Sequence, residues 1–168
     1  MVASTRSFPL RVSSIRRKLG PEATLEFLQA LWALDQELRA LSKHMERRMG
    51  VTGPQRLVLR ILGLAPGLPA SGLASALHLH PSTVTGLLTR LTRKGLVRRR
   101  QDPEDGRRVL LVLTPRGARI NSRNRGTVEA AVSRSLGDLA PGHLATVRNV
   151  LEQIRQSVLR ERVERRSR

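Results

Sequence analysis

The chain has 168 residues, enough for one compact unit with one core, and no cysteine, which excludes disulfides, thiol redox switching and cysteine-ligated zinc. Its 31 Lys/Arg against 13 Asp/Glu give a formal charge of +18, which points to an anionic partner. No apolar run approaches the ~20 residues that span a bilayer, and no apolar segment follows the basic start as a secretory signal requires, so the expected location is the cytoplasm, with no membrane partner.

Residues 1–20 hold five Lys/Arg, no acid and no sustained periodicity, and read as a basic arm. Pro21 opens a long helix over residues 21–49. Along it Phe27, Leu31, Leu34, Leu38, Leu41 and Met45 alternate spacings of four and three, the 3.5-residue seam by which helices pack lengthwise. Leu25, Leu28 and Trp32 add a second stripe. A helix with two stripes needs two partners, which points to a dimer. Between residues 22 and 49 four Lys/Arg face five Asp/Glu, so the charge excess lies elsewhere.

Residues 50–113 form the next unit. Thr52 and Gln55 have the spacing of a capping box, and the helix they start carries Leu57, Val58, Ile61 and Leu62. Residues 63–69 are a connector rich in helix breakers. Ser71 to Leu79 reads as a short amphipathic helix, and Pro81 begins another. In the second, Val84, Leu87, Leu88 and Leu91 paint one apolar face, and Gly95 supplies the stop. The opposite face holds Ser82, Thr83, Thr85, Gly86, Thr89, Arg90, Arg93 and Lys94, with no acid among them. An ordinary solvated face mixes both signs; this one suits a polyanion. The two helices read as a helix-turn-helix. Residues 96–101 and 107–113 then read as strands joined by the turn Asp102-Pro-Glu-Asp-Gly106. A helix-turn-helix followed by such a hairpin is a winged helix.

Thr114 and Pro115 restart a helix expected to run through Ile120, Val128, Val132 and Leu136, weakened by Gly126. After Pro141-Gly142 the last helix repeats the three-and-four spacing in Leu144, Val147, Leu151, Ile154 and Val158. Residues 114–160 are thus C-terminal dimerisation helices, and residues 161–168 are a basic tail. The fold class is mainly α with a small β-hairpin wing, flanked by N- and C-terminal dimerisation helices. Leu31, Leu34, Leu38, Leu151, Ile154 and Val158 are the expected dimer contacts; Val147 shares the spacing without being assigned to the interface.

Several segments in order resemble the MarR family of bacterial winged-helix regulators. They are Thr52-Gly-Pro-Gln55, Gly72-Leu-Ala-Ser-Ala-Leu77, Pro81-Ser-Thr-Val84 with Leu91-Thr-Arg-Lys-Gly-Leu-Val97, Asp102-Pro-Glu-Asp-Gly-Arg-Arg108 and Leu113-Thr-Pro-Arg-Gly117. The resemblance covers roughly residues 22–160. It implies a homodimer with interleaved terminal helices, recognition helices in successive major grooves of double-stranded DNA, and wing arginines in the flanking minor grooves. It also implies a small, often phenolic, effector in the crevice between the dimerisation and DNA-binding parts. Two positions depart from the pattern: His80 stands where Ser or Thr often caps the recognition helix, and Thr92 replaces a common acid.

The DNA-binding residues expected on these grounds are Ser82, Thr83, Thr85, Gly86, Arg90, Arg93, Lys94, Arg107 and Arg108. Hydroxyls serve phosphates or base edges, Arg90, Arg93 and Lys94 serve phosphates, and an Asp105–Arg107 bridge would aim the Arg107 guanidinium into a narrow minor groove. Asp102, Glu104 and Asp105 suggest a metal-dependent nuclease only superficially. Three acids on a proline-glycine turn are ordinarily turn formers and arginine partners, so no catalytic residue, metal site or cofactor is assigned. His44, His78, His80 and His143 are scattered. The sequence therefore reads as a homodimeric repressor of transcription that binds a pseudo-palindromic operator and responds to an effector. The alternatives are a non-specific nucleic-acid-binding or architectural protein, and a protein–protein adaptor. The first has the net charge in its favour, although the scarcity of aromatics speaks against single-strand or RNA stacking; the basic recognition face speaks against the second.

Overall fold

The computed structural model describes residues 20–137 and 139–164. The basic arm, apart from Gly20, and the end of the basic tail lie outside the described residues. Among the described residues, seven helices and one hairpin follow in the order α1 (Pro21–Met49), α2 (Gly53–Leu64), α3 (Ala70–Leu77), α4 (Pro81–Arg93), β1 (Val97–Gln101), β2 (Val109–Leu113), α5 (Pro115–Asn121), α6 (Val128–Gly137) and α7 (Pro141–Glu164). The chain divides within α1, at Gln36–Glu37, into two units. The first contains the opening turns of α1, all of whose side chains are exposed or half-buried. The second contains everything from Glu37 onward.

In the second unit the core is built by the winged helix. Val58, Leu59 and Leu62 of α2 and Leu73 of α3 meet Val84, Leu88 and Leu91 of α4, and Leu96, Val97 and Leu111 close the cluster from the hairpin. Each such side chain removed from water contributes ~1.5–3 kcal/mol. The burial phase of α2 differs from expectation. Gln55, Arg56, Val58, Leu59 and Leu62 are buried, whereas Leu57 is half exposed at 50%. Leu59, one residue off the expected stripe, takes the inward position.

Local signals set the ends of these helices. Thr52 caps α2 with a full capping box: its Oγ1 accepts from the Gln55 N–H, and Gln55 Oε1 accepts from the Thr52 N–H. Gly95, at φ +66, ends α4. There the Leu96 N–H reaches Leu91 O at 2.9 Å and the Gly95 N–H reaches Thr92 O at 2.9 Å, the paired bonds of a Schellman stop. β1 and β2 pair antiparallel with Val97 opposite Leu113 and Gln101 opposite Val109. Leu68, from the connector after α2, adds an isolated bridge to Leu111 on the edge of β2 away from β1 and so widens the sheet there by one residue pair. Gly117 shows why the turn after β2 ends as it does: a Cβ there would lie 2.0 Å from the Leu96 carbonyl oxygen, so α5 can approach β1 only through glycine.

Two expected boundaries move. β2 begins at Val109, leaving Arg107 and Arg108 in the turn. The Arg108 N–H bonds Asp105 O, and Arg108 O accepts from Asp102 N, which closes the loop before the ladder starts. The single helix expected after Thr114 is two helices. Gly126 adopts φ +69, and Thr127 recaps the chain by accepting from the Ala130 N–H. The carbonyls of Ile120, Asn121 and Arg123, which a continuous helix would bond to the N–H four residues on, accept from the Arg56 guanidinium, and Ile120 O also takes the Arg123 N–H in a tighter turn.

Candidate nucleic-acid interface

α4 is the element that positions the site. Its N-terminus is capped by the imidazole of His80, whose Nδ1 accepts from the Ser82 N–H at 3.3 Å and lies 2.7 Å from Ser82 Oγ. The ring thus takes the place of the Ser or Thr expected there. Pro81 takes the first turn, where its missing N–H has no cost. Because Val84, Leu87, Leu88 and Leu91 are buried, Ser82, Thr83, Thr85, Thr89, Arg90 and Arg93 face outward together. The Thr85 hydroxyl donates to Pro81 O and that of Thr89 to Thr85 O, which leaves their oxygen lone pairs directed outward as acceptors. A Cβ built at Gly86 would meet nothing within 4 Å. The fold does not require glycine at that position.

Lys94 does not share this outward face. Its ammonium donates to Gly50 O at 2.7 Å and Gln55 Oε1 at 3.1 Å, and lies 3.9 Å from Glu46 Oε1. The wing differs from expectation in a similar way. Asp105 accepts from the backbone N–H of Arg107 at 3.0 Å, while its carboxylate pairs with the side chain of Arg108 at 3.4 Å. The expected Asp105–Arg107 side-chain bridge is therefore replaced by an Asp105–Arg108 pair, because the tight turn brings the i+3 side chain over the carboxylate. Arg107 is exposed, and no described residue pairs with its guanidinium. Asp102 bonds the Glu104 N–H at 3.0 Å. Both aspartates are turn formers, and no group of three or more His, Asp or Glu that could hold a metal occurs among the described residues.

Strand register sorts the remaining arginines of the wing. Arg98 and Arg100 stand opposite Val112 and Leu110, on one face, whereas Arg99 stands opposite buried Leu111 on the other. All three are exposed.

Arg56 carries no signal of its role in the sequence. It is 1% exposed and its Nε lies 2.5 Å from Glu129 Oε1 on α6. Together with its bonds to the carbonyls of Ile120 and Asn121 at the end of α5 and of Arg123 just beyond it, this makes it the clamp between α2 and the C-terminal helices. Helical spacing gives no sign of it, since an arginine beside an apolar stripe normally extends to solvent.

A buried aliphatic core, a capped helix presenting hydroxyls and arginines, and a basic two-stranded hairpin define a winged helix-turn-helix of the DNA-binding class. The MarR family model matches residues 51–109. The chain is 31% identical over 93 residues to the organic hydroperoxide resistance transcriptional regulator of Bacillus subtilis, an alignment covering 55% of this chain and 63% of that protein. It is 30% identical over 131 residues to the homoprotocatechuate degradative operon repressor of Escherichia coli, covering 77% of this chain and 85% of the repressor. The solved PcaV transcriptional regulator from Streptomyces coelicolor, in complex with its natural ligand, superposes with a TM-score of 0.59 at 28% identity, over 87% of this chain and 99% of PcaV. The chain belongs to the MarR family of transcriptional regulators. Among the described residues no helix is long and apolar enough to cross a membrane.

Proposed function

We propose that this MarR-family regulator is a homodimeric, non-enzymatic repressor that binds a pseudo-palindromic site in double-stranded DNA and releases it on binding a small-molecule effector. The carrying observation is the exposed, acid-free face of α4. Ser82, Thr83 and Thr85 offer hydroxyls to phosphates or base edges, Arg90 and Arg93 serve phosphates, and Gly86 leaves room for a groove wall to approach. Arg107 reads the minor groove from a turn held by Asp105, with Arg108 beside it. Two copies joined by their terminal helices would present recognition helices one DNA turn apart, ~10 bp. The repression reading draws on the E. coli operon repressor, and the effector reading on the ligand complex of PcaV. A cavity of about 700 Å³ between the turn at His78 to His80, the start of α4 at Ser82 and Thr83, and the last turns of α7 supports the latter, and an effector there would compete with DNA for Ser82 and Thr83. Arg155 and Arg162 line it beside Leu159 and Val163, cations next to aliphatic side chains that suit an anionic aromatic molecule.

The test begins with selection of bound fragments from genomic DNA, followed by titration of the selected duplex and a scrambled duplex at one salt concentration. Wild type is expected to prefer the selected duplex with a log K–log salt slope steeper than about −2, each neutralised phosphate adding about −0.9. Arg107→Ala is expected to weaken the selected duplex alone by about 1–3 kcal/mol. Arg107→Lys recovers only part of this, because an ammonium lacks the planar fork. Equal weakening of both duplexes by Arg107→Ala would reduce the wing to a phosphate contact. Equal affinity of wild type for both duplexes would favour the architectural reading that the +18 charge also supports.

A further inference from the structure

Lys94 sits at the C-cap of the recognition helix, where a cation is ordinarily read as a phosphate ligand. Its geometry is otherwise. A lysine ammonium has three N–H donors and no acceptor. Two are taken by Gly50 O at 2.7 Å and Gln55 Oε1 at 3.1 Å, and the third faces Glu46 Oε1 at 3.9 Å. All three oxygens belong to the junction of α1 and α2. Gly50 is the residue that ends α1, at φ +74, with its N–H on Glu46 O. Gln55 completes the capping box of α2 opposite Thr52 and is only 2% exposed. The same oxygen of Gln55 thus serves the Thr52 N–H and the Lys94 ammonium. On its other side the end of α4 is tied to α5: Arg116 donates to Lys94 O at 3.3 Å, and the Thr114 hydroxyl to Gly95 O at 2.7 Å.

We infer that Lys94 is a positioning residue, which locks the last turn of the recognition helix onto the end of α1 and so sets the angle at which the helix meets DNA, rather than a phosphate contact. This rests on the DNA-reading function proposed above and adds to it a specificity determinant that touches no nucleotide. A helix held at the wrong angle still attracts phosphates but places its side chains off the base edges. Discrimination would fall while general affinity stays.

The experiment compares wild type, Lys94→Met, Lys94→Arg and Gln55→Met on the selected and the scrambled duplex across a salt series. Lys94→Met is expected to weaken the selected duplex at least about tenfold and the scrambled duplex less than about twofold, with an unchanged salt slope. Lys94→Arg keeps the charge but cannot converge three N–H groups on one point, and is expected to lose discrimination as Lys94→Met does. Gln55→Met, which removes no charge, should reproduce the loss, and the double variant Lys94→Met/Gln55→Met should be no weaker than either alone. Lys94→Met weakening both duplexes by the same factor, with a slope shallower by about 0.9 per subunit and full rescue by Lys94→Arg, would make Lys94 a phosphate ligand and overturn the inference. That result leaves the DNA-reading function intact. A wild type that does not distinguish the duplexes overturns both.

Discussion

α4 and α7 carry aliphatic residues at the same three- and four-residue spacing, yet their fates in the folded chain are opposite. Val84, Leu87, Leu88 and Leu91 of α4 are all buried against α2, α3 and the hairpin. On α7, Leu144, Val147, Leu151 and Val158 remain 42–62% exposed, and Leu34 and Trp32 of α1 are 53% and 62% exposed. An apolar stripe states that a helix needs a partner; it does not state whether that partner lies in the same chain. Each stripe residue left in water forgoes ~1.5–3 kcal/mol. A winged helix that satisfies itself thus stands between helices that do not, which is the physical basis for proposing that a second copy covers them.

The comparison breaks most sharply with a charge in the uncovered seam. Leu151→Glu or Leu34→Glu is expected to abolish association, since two copies forfeit about 3–6 kcal/mol of burial before the charge penalty is added. Sedimentation at micromolar concentration checks this. A wild type that sediments as a monomer would end the dimer proposal, and the exposed stripes would then need a different partner.

The winged helix itself should fail next, at its buried clamp. Arg56→Ala strands the Glu129 carboxylate and three carbonyls, and is expected to cost about 3–5 kcal/mol in urea unfolding. Arg56→Met with Glu129→Leu, which removes both charges together, should recover a large part of that loss. If Arg56→Ala proves neutral, α6 is held by something other than this pair.

The smallest effect sharpens the contrast from the side of α7. Arg155 grips Glu152 in a fork, with bonds of 2.8 and 2.7 Å, and Gln156 adds a third at 2.7 Å. These bonds to the ionised form, the Arg155 bond foremost, lower the Glu152 pKa from 4.5 to about 2. A depressed carboxylate stabilises the fold above its unfolded pKa, and that contribution is lost as pH falls from about 4.5 towards 2. The Glu152 side chain is half-exposed and its partners lie on the same helix, so the observable is local: NMR titration should place the Glu152 midpoint near 2 in wild type and return it towards 4.5 in Arg155→Ala. An unchanged midpoint in the variant would remove the fork as the cause.

Much of this molecule is legible in the chain because the deciding interactions are local. The capping box at Thr52 and Gln55, the proline at the start of α4, the stop at Gly95 and the cap at Thr114 all satisfy backbone groups within about four residues, so residue type and spacing suffice to read them. The winged helix and its exposed basic face follow from such signals. Residue type also marks His80 as unusual, but only the folded chain shows its Nδ1 acting as the cap.

The tertiary structure decided what depends on partners distant in sequence. Arg56 turns inward to groups 64 to 73 residues away, and it holds the carbonyls of Ile120, Asn121 and Arg123 where a helix that periodicity alone would continue is split. Lys94 shares its face with Arg90 and Arg93 in the sequence pattern, yet Gly50 and Gln55, 44 and 39 residues distant, claim its ammonium. Asp105 pairs with Arg108 rather than Arg107 because turn geometry, not adjacency, sets which guanidinium passes over the carboxylate. Spacing specifies which face a side chain leaves from; for long cations, whose charged end lies several bonds from the backbone, only the surrounding oxygens determine where that end comes to rest.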